Sequence, residues 1–168
     1  MFVAFSVGKW IQPICNELYE SISKRTQQPT YYNKIGFCTD ANRQNINAIL
    51  EFFNEDCVNY SQIIKEKIKQ KVIGTYKRKV LGNMDFEDIR INDIDGFCSY
   101  LRARVGCFVR ETRNFAKRRR QIINVLHVTQ TNHNFVEAKN EETPGMKEGL
   151  VDDVLSWNDV LNMRFNQS

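Results

Sequence analysis

Two aspartates stand at positions where a carboxylate can hold a divalent metal ion. The first, Asp40, closes the short apolar run Ile35-Gly-Phe-Cys-Thr-Asp40, which is typical of a strand. Catalytic groups of α/β proteins gather beyond the carboxyl ends of strands, where the sheet fixes the backbone of the metal ligand. The same position also suits an aspartate that forms a turn or caps a helix before Asn42, so both interpretations stay open.

The second aspartate, Asp95, falls in the first turn of a long predicted helix. Ser99 and Arg102 follow it at i+4 and i+7, so the three side chains share one face, opposite the apolar stripe. A carboxylate there can complete a metal site, with Arg102 reaching a phosphate beside it. The alternative is an acid that only benefits from the positive end of the helix dipole.

The basic residues are concentrated in the middle of the chain. Residues 65–120 hold 16 of the 24 Lys and Arg residues and 7 of the 20 Asp and Glu residues, a local balance of +9. Such an excess is typical of a phosphate-binding surface, although a solvated face would leave the same composition, above all at 118–120. The candidate DNA-binding residues are Lys65, Lys67, Lys69, Lys71, Arg102, Arg104, Arg110, Arg113 and Lys117.

The spacing of apolar residues predicts the elements that position these side chains. It indicates a strand, a helix, a strand and a helix at residues 2–8, 11–22, 35–40 and 46–53. That order is typical of an α/β fold with a mostly parallel sheet covered by helices.

Further along, lysines alternate with other residues from Ile64 to Val72. This alternation predicts one strand with every lysine on one face, whereas a helix would scatter the lysines. A short strand at 77–81 is also predicted. The remaining predictions are a helix capped by Asn92 or Asp93 and extending to Val109, a helix over about 117–135, and an acidic extension ending in a helix around 157–163.

The cysteines and the apolar runs indicate the compartment. No two of the five cysteines have the spacing of a zinc site, so they predict buried thiols in a reducing compartment: Cys15, Cys38, Cys57, Cys98 and Cys107. The run from Phe2 to Val7 is too short for a membrane span, and no basic segment precedes it. We therefore expect a soluble, cytoplasmic chain.

From Val80 onward, the order of motifs resembles transposases of the insertion-sequence-one kind. The stretch Ile94-Asp-Gly-Phe-Cys-Ser-Tyr-Leu-Arg102 is similar to the start of the helix that carries the last acid of the family's Asp-Asp-Glu triad. Phe108-Val-Arg-Glu-Thr-Arg-Asn-Phe-Ala-Lys117 is similar to the family's Phe-Thr-Arg-Leu-Thr-Asn-Ala-Phe-Ser-Lys. The Thr143-Pro144 and Leu155-Ser-Trp157 elements resemble motifs that follow in the family.

Weaker similarities lie upstream. Val3-Ala-Phe-Ser-Val-Gly8 resembles the second strand of the family's catalytic core, and Cys38-Thr-Asp-Ala41 resembles the Thr-Asp-Gly that carries the second acid. The resemblance thus touches nearly the whole chain, although it is dense only from about residue 80.

The resemblance implies a fold and a reaction. The fold is an α/β, ribonuclease-H-like core over residues 1–136 that lacks its first strand, followed by a C-terminal acidic and helical extension over 137–168. The reaction is the metal-dependent cleavage and joining of double-stranded DNA in transposition, with Mg²⁺ or Mn²⁺ in a two-metal site. Asp40 and Asp95 would be catalytic acids and metal ligands, in a homo-oligomer bound to element ends at the nucleoid.

The chain also departs from the family pattern. No residue corresponds to the first acid, Asp95 stands where the family has Glu, and Cys98 stands where it has Asn. We therefore expect this chain to be inactive alone, with the first acid supplied by an upstream polypeptide. The alternative is a non-catalytic remnant that binds DNA at most.

Overall fold

The computed structural model describes residues 1–9, 11–69, 71–90, 92–109 and 118–163, without the side chains of residues 92 and 93. The helices are α1 (Gln12–Arg25), α2 (Arg43–Phe52), α3 (Asn92–Arg104), α4 (Arg119–Thr131), α5 (Pro144–Lys147) and α6 (Trp157–Asn162). The strands are β1 (Ile35–Asp40), β2 (Val58–Ile68) and β3 (Lys71–Leu81). Short 3-10 turns are formed by Glu55–Cys57 and Gly106–Phe108, and Asn132–Val136 form a π-helical turn.

The chain forms two compact units, residues 6–115 and residues 1–5 together with 116–168. The three strands and α1 to α3 belong to the first unit, and α4 to α6 belong to the second. Residues 118–136 group with the C-terminal segment in one compact unit. The functional assignment of the two predicted domains stays a prediction.

The first unit has an α/β structure built on a three-stranded mixed sheet. The strand order is β1-β2-β3, with β1 parallel to β2 and β2 antiparallel to β3. β1 and α2 form where the second strand and the second helix were predicted, and the α/β class is confirmed. The sheet is not mostly parallel, because β3 returns beside β2 in a hairpin and no helix crosses between them.

The prediction of one lysine-bearing strand from Ile64 to Val72 was wrong. The chain turns within this run, so Lys65 and Lys67 lie on β2 and Lys71 begins β3. Lys69 lies in the turn with a φ of 45°, a left-handed backbone that short hairpin turns require.

A core on one side of the sheet holds α1 and α2 in place. Its buried residues come from both helices, from the residue after α2 and from β2: Cys15, Tyr19, Ala48, Ile49, Phe53, Val58 and Tyr60. Each of these side chains is removed from water, so the hydrophobic effect holds the two helices against the strands. Asn42 fixes the start of α2, because its side chain accepts a hydrogen bond from the Gln44 amide at 3.1 Å.

The predicted N-terminal strand at residues 2–8 does not form, and the backbone of Phe2 and Val3 instead contacts side chains of its own unit. The Phe2 amide donates to Asn134 Oδ1 at 2.8 Å, and Asn134 Nδ2 donates to the Phe2 carbonyl at 2.9 Å. Gln130 Nε2 donates to the carbonyls of Phe2 and Val3 at 2.8 and 2.9 Å. Two side-chain amides therefore satisfy backbone groups that a neighbouring strand would otherwise satisfy.

Helix predictions downstream were confirmed except at one end. α3 begins at Asn92, within two residues of the predicted start, and the side chains of the predicted caps Asn92 and Asp93 lie outside the description. It ends at Arg104, not near Val109, because the chain leaves the helix at Val105 and forms a 3-10 turn. The predicted later helices correspond to α4 and α6. In the described part of the chain, no helix is long and apolar enough to cross a membrane.

The cysteines are all free thiols, but only Cys15 is fully buried. The other four are partly accessible, so the prediction of five buried thiols was wrong in four cases. Burial raises the pKa of Cys38, with a smaller opposing effect from a backbone hydrogen bond of Arg90.

Candidate nucleic-acid interface

A two-stranded ribbon extends beyond the three-stranded sheet. β1 pairs with β2 only from Val58 to Ile63, whereas the pairing of β2 with β3 continues to the Ile68–Lys71 pair. Residues 64–68 and 71–76 therefore form a hairpin that β1 does not flank. At about 3.3 Å per residue, its five β2 residues extend roughly 17 Å.

The ribbon presents lysines to solvent. Lys65, Lys67, Lys69 and Lys71 are all exposed, and Glu66 is the one acidic residue between positions 64 and 76. Lys65 lies at the foot of the ribbon, where its ammonium is 3.9 Å from a carboxylate oxygen of Asp95. The structure thus brings the four predicted lysines to one projecting element, although across two strands and a turn.

Basic residues farther down β3 make local contacts instead. Lys77 Nζ donates to the Phe86 carbonyl at 2.5 Å. Lys79 Nζ donates to Asn83 Oδ1 at 2.9 Å and lies 4.7 Å from the centre of the Phe86 ring. These lysines hold the segment after β3 against the sheet.

Asp40 lies beside a cleft at the carboxyl end of β1. The cleft has a volume of about 440 Å³, and its lining is Asp40, Ala41, Asn42, Ile63, Ile64, Lys65 and Lys67. Asp40 Oδ1 accepts hydrogen bonds from the Asn42 amide at 3.3 Å and from Asn45 Nδ2 at 3.1 Å. Asp40 therefore forms the turn that leads into α2, and Asn42 caps the helix. A turn-forming role was the predicted alternative to metal binding by Asp40.

The electrostatic influence of Asp40 reaches the core. Burial raises the pKa of the Cys15 thiol, and the charge of Asp40 raises it further. Burial also raises the pKa of the Tyr19 hydroxyl, and Tyr60, Cys15 and Asp40 add smaller increases in that order. Both neighbours are thus held in their neutral forms, so neither supplies a negatively charged ligand beside Asp40.

Asp95 lies on α3 with an exposed side chain. Ser99 Oγ donates to the Asp95 backbone carbonyl at 3.0 Å, so Ser99 is engaged with its own helix. Arg102 is exposed, and the guanidinium of Arg104 lies 4.2 Å from the centre of the Tyr100 ring. The predicted face of α3 forms, and Asp95 contacts Lys65 from this face.

The described residues do not fit a two-metal centre by themselves. Lys65 lines the cleft beside Asp40 and also pairs with Asp95, so both candidate acids lie near one lysine. Within the described ranges, no group of three or more His, Cys, Asp or Glu side chains is placed to hold a metal ion. With a cation at Asp95 and two donors on one oxygen of Asp40, this donor set lacks the carboxylates that two divalent ions need.

The remaining predicted basic residues do not belong to the ribbon segments 64–68 and 71–76. Arg110, Arg113 and Lys117 lie outside the described residues. Arg118, Arg119 and Arg120 are exposed at the start of α4 in the second unit, as a solvated helix face would be.

Sequence reasoning missed the apolar end of the ribbon. Ile68, Val72 and Ile73 are exposed there. The adjacent pair Val72-Ile73 interrupts the strict alternation of the run, and that interruption is the signal that could have found them. Comparison of the chain with family models, with curated proteins and with solved structures found no match.

Proposed function

We propose that this chain is a transposase-related protein that binds double-stranded DNA through the lysine ribbon formed by residues 64–76. The observation that carries the proposal is the projection of Lys65, Lys67, Lys69 and Lys71 from a hairpin that β1 does not flank. Ammonium groups on such an element can approach phosphates on both sides of a DNA groove. Phosphate contacts of this kind bind DNA without distinguishing its base sequence.

The proposed relation to transposases includes a partial ribonuclease-H-like core. The parallel pair of β1 and β2, with Asp40 at the end of β1 and helices packed on one side, supports this part of the proposal. The proposed oligomer, the nucleoid location and an upstream polypeptide with a further acid follow from the resemblance alone. Strand cleavage and joining would require that further acid, so the function proposed for this chain is DNA binding.

A charge-removal series tests the proposed function. Replacing Lys67, Lys69 and Lys71 by Gln removes three of the four ribbon lysines and is expected to weaken duplex binding. The slope of log Kd against log salt concentration should fall from roughly 3.6 to roughly 0.9, measured by fluorescence anisotropy. The matched control replaces three exposed lysines elsewhere, Lys9, Lys24 and Lys139, by Gln. Equal losses in the two triple variants would show that net charge, and not the ribbon, binds DNA.

A second measurement tests the expectation of no cleavage. The chain is expected to leave supercoiled plasmid intact in Mg²⁺ or Mn²⁺, because the described carboxylates do not form a two-metal donor set. Asp40→Asn and Asp95→Asn are the matched variants, and all three proteins should give the same background of nicked plasmid. Nicking by the native chain that both substitutions abolish would contradict this expectation and establish a catalytic site.

A further inference from the structure

The free end of the ribbon combines lysines with exposed aliphatic side chains. Ile68, Val72 and Ile73 are 59%, 46% and 57% exposed. Exposed aliphatic residues gathered on one projecting hairpin are unfavourable in water, and such a feature commonly marks a surface that another molecule covers. The end of the ribbon therefore combines an exposed apolar surface with the charges that attract phosphates.

A β-bulge sets Ile73 apart from its neighbours. Glu66 pairs with Gly74 and Lys67 pairs with Val72, so Ile73 is the extra residue of β3 and has no partner on β2. A bulge interrupts the ladder and re-aims the side chain of the bulged residue. Ile73 is thus an exposed aliphatic residue at an irregular position of the ribbon.

The charges around these residues indicate what covers them. Lys67 lies opposite Val72, Lys71 lies opposite Ile68, and Lys69 lies in the turn. Duplex DNA has phosphates on both edges of a groove and, between them, base pairs whose apolar faces become accessible where a step unstacks, so it matches a lysine-flanked aliphatic tip. Two-stranded β-ribbons of DNA-binding proteins enter the major or the minor groove, so this element fits such a partner.

We propose, building on the DNA binding proposed above, that the ribbon tip enters a groove of duplex DNA and inserts Ile73 between two base pairs. The side chain acts as an apolar wedge that partly unstacks one base step and bends the duplex. Lysines at the tip hold the phosphates on either side. Wedges of this kind bend DNA by roughly 20–90° and recover the cost of unstacking through the additional contacts that a bent duplex makes.

The test compares Ile73→Ser with Leu161→Ser. Leu161 is a second exposed aliphatic residue, 77% exposed on α6, so its replacement controls for the loss of surface apolarity. A duplex labelled at both ends for energy transfer reports bending, and 2-aminopurine within it reports unstacking. Binding is measured on the same duplex by anisotropy. All proteins are used as full chains at low salt and saturating concentration.

The native chain and Leu161→Ser are expected to bend the duplex and to raise the fluorescence of 2-aminopurine. Ile73→Ser should bind within about threefold of the native chain, because phosphate contacts dominate affinity, but should lose both signals. Binding by the native chain without bending or unstacking would overturn the wedge and leave DNA binding intact. Absence of duplex binding by the native chain would overturn the proposed function itself. A change from dimer to monomer in Ile73→Ser, with DNA bending unchanged, would show that the tip contacts a second copy of the chain.

Discussion

Raising the salt concentration from about 50 to about 200 mM is expected to weaken duplex DNA binding by this chain roughly 150-fold. Each lysine that neutralises a phosphate releases a condensed counterion, and the four ribbon lysines Lys65, Lys67, Lys69 and Lys71 provide about four such contacts. The measurement is a series of anisotropy titrations with one labelled duplex at increasing salt concentrations. The same duplex with a permuted sequence should give the same curve, since phosphate contacts do not distinguish bases.

The salt series distinguishes DNA binding by the four ribbon lysines from binding by fewer charges or by contacts with bases. A single exposed cation would give a change of only about threefold to fourfold over the same range, because the exponent scales with the number of phosphates neutralised. Binding that is independent of salt would contradict the phosphate-binding interpretation of the ribbon. A strong preference between the two duplexes would point to base contacts that the four lysines do not account for.

Replacing Ile49 by Ala is expected to lower the free energy of unfolding by about 3 kcal/mol, or roughly 150-fold in the folding equilibrium. Ile49 is completely buried on α2, among the residues that hold the helices to the sheet. The substitution leaves a cavity that the surrounding side chains cannot fill without distortion. Urea unfolding followed by circular dichroism measures the change.

The adjacent residue supplies the control for this prediction. Leu50 is also on α2 but is 42% exposed, so Leu50→Ala removes a similar side chain from a solvated position. Its effect should stay within about 1 kcal/mol. Equal destabilisation by the two substitutions would mean that α2 does not present Ile49 to the sheet. Because the ribbon continues β2 and β3, duplex binding by Ile49→Ala should be lost only where the protein unfolds.

Local patterns predicted those parts of the fold whose stabilising contacts are also local or periodic. The apolar spacing of α1 and the strand ending at Asp40 are of this kind. The hairpin was missed because its turn at Lys69 contains no Gly, Pro or Asn, and alternation runs through it from one strand into the next. The end of α3 at Arg104 was also missed, since apolar residues continue at helical spacing beyond it.

The candidate site could be predicted only in part, for related reasons. Residue type and position gave the two possible roles of Asp40, but only the contacts with Asn42 and Asn45 show that it forms the turn. The pairing of Lys65 with Asp95 joins residues from β2 and α3, and no periodicity within either element reports it. The metal and catalytic roles of Asp40 and Asp95 stay predictions.

The support of the N-terminal segment by Asn134 and Gln130 affects which substitutions the protein tolerates. These side chains contact the amide and carbonyl groups of Phe2 and the carbonyl of Val3, which are groups that nearly every amino acid possesses. The contacts themselves therefore place no demand on the side chains at positions 2 and 3, apart from excluding proline at position 2, where the amide donates. The chemical requirement falls instead on two amides more than a hundred residues away in the sequence. These hydrogen bonds should therefore tolerate substitutions at positions 2 and 3 while requiring the side-chain amides of Gln130 and Asn134.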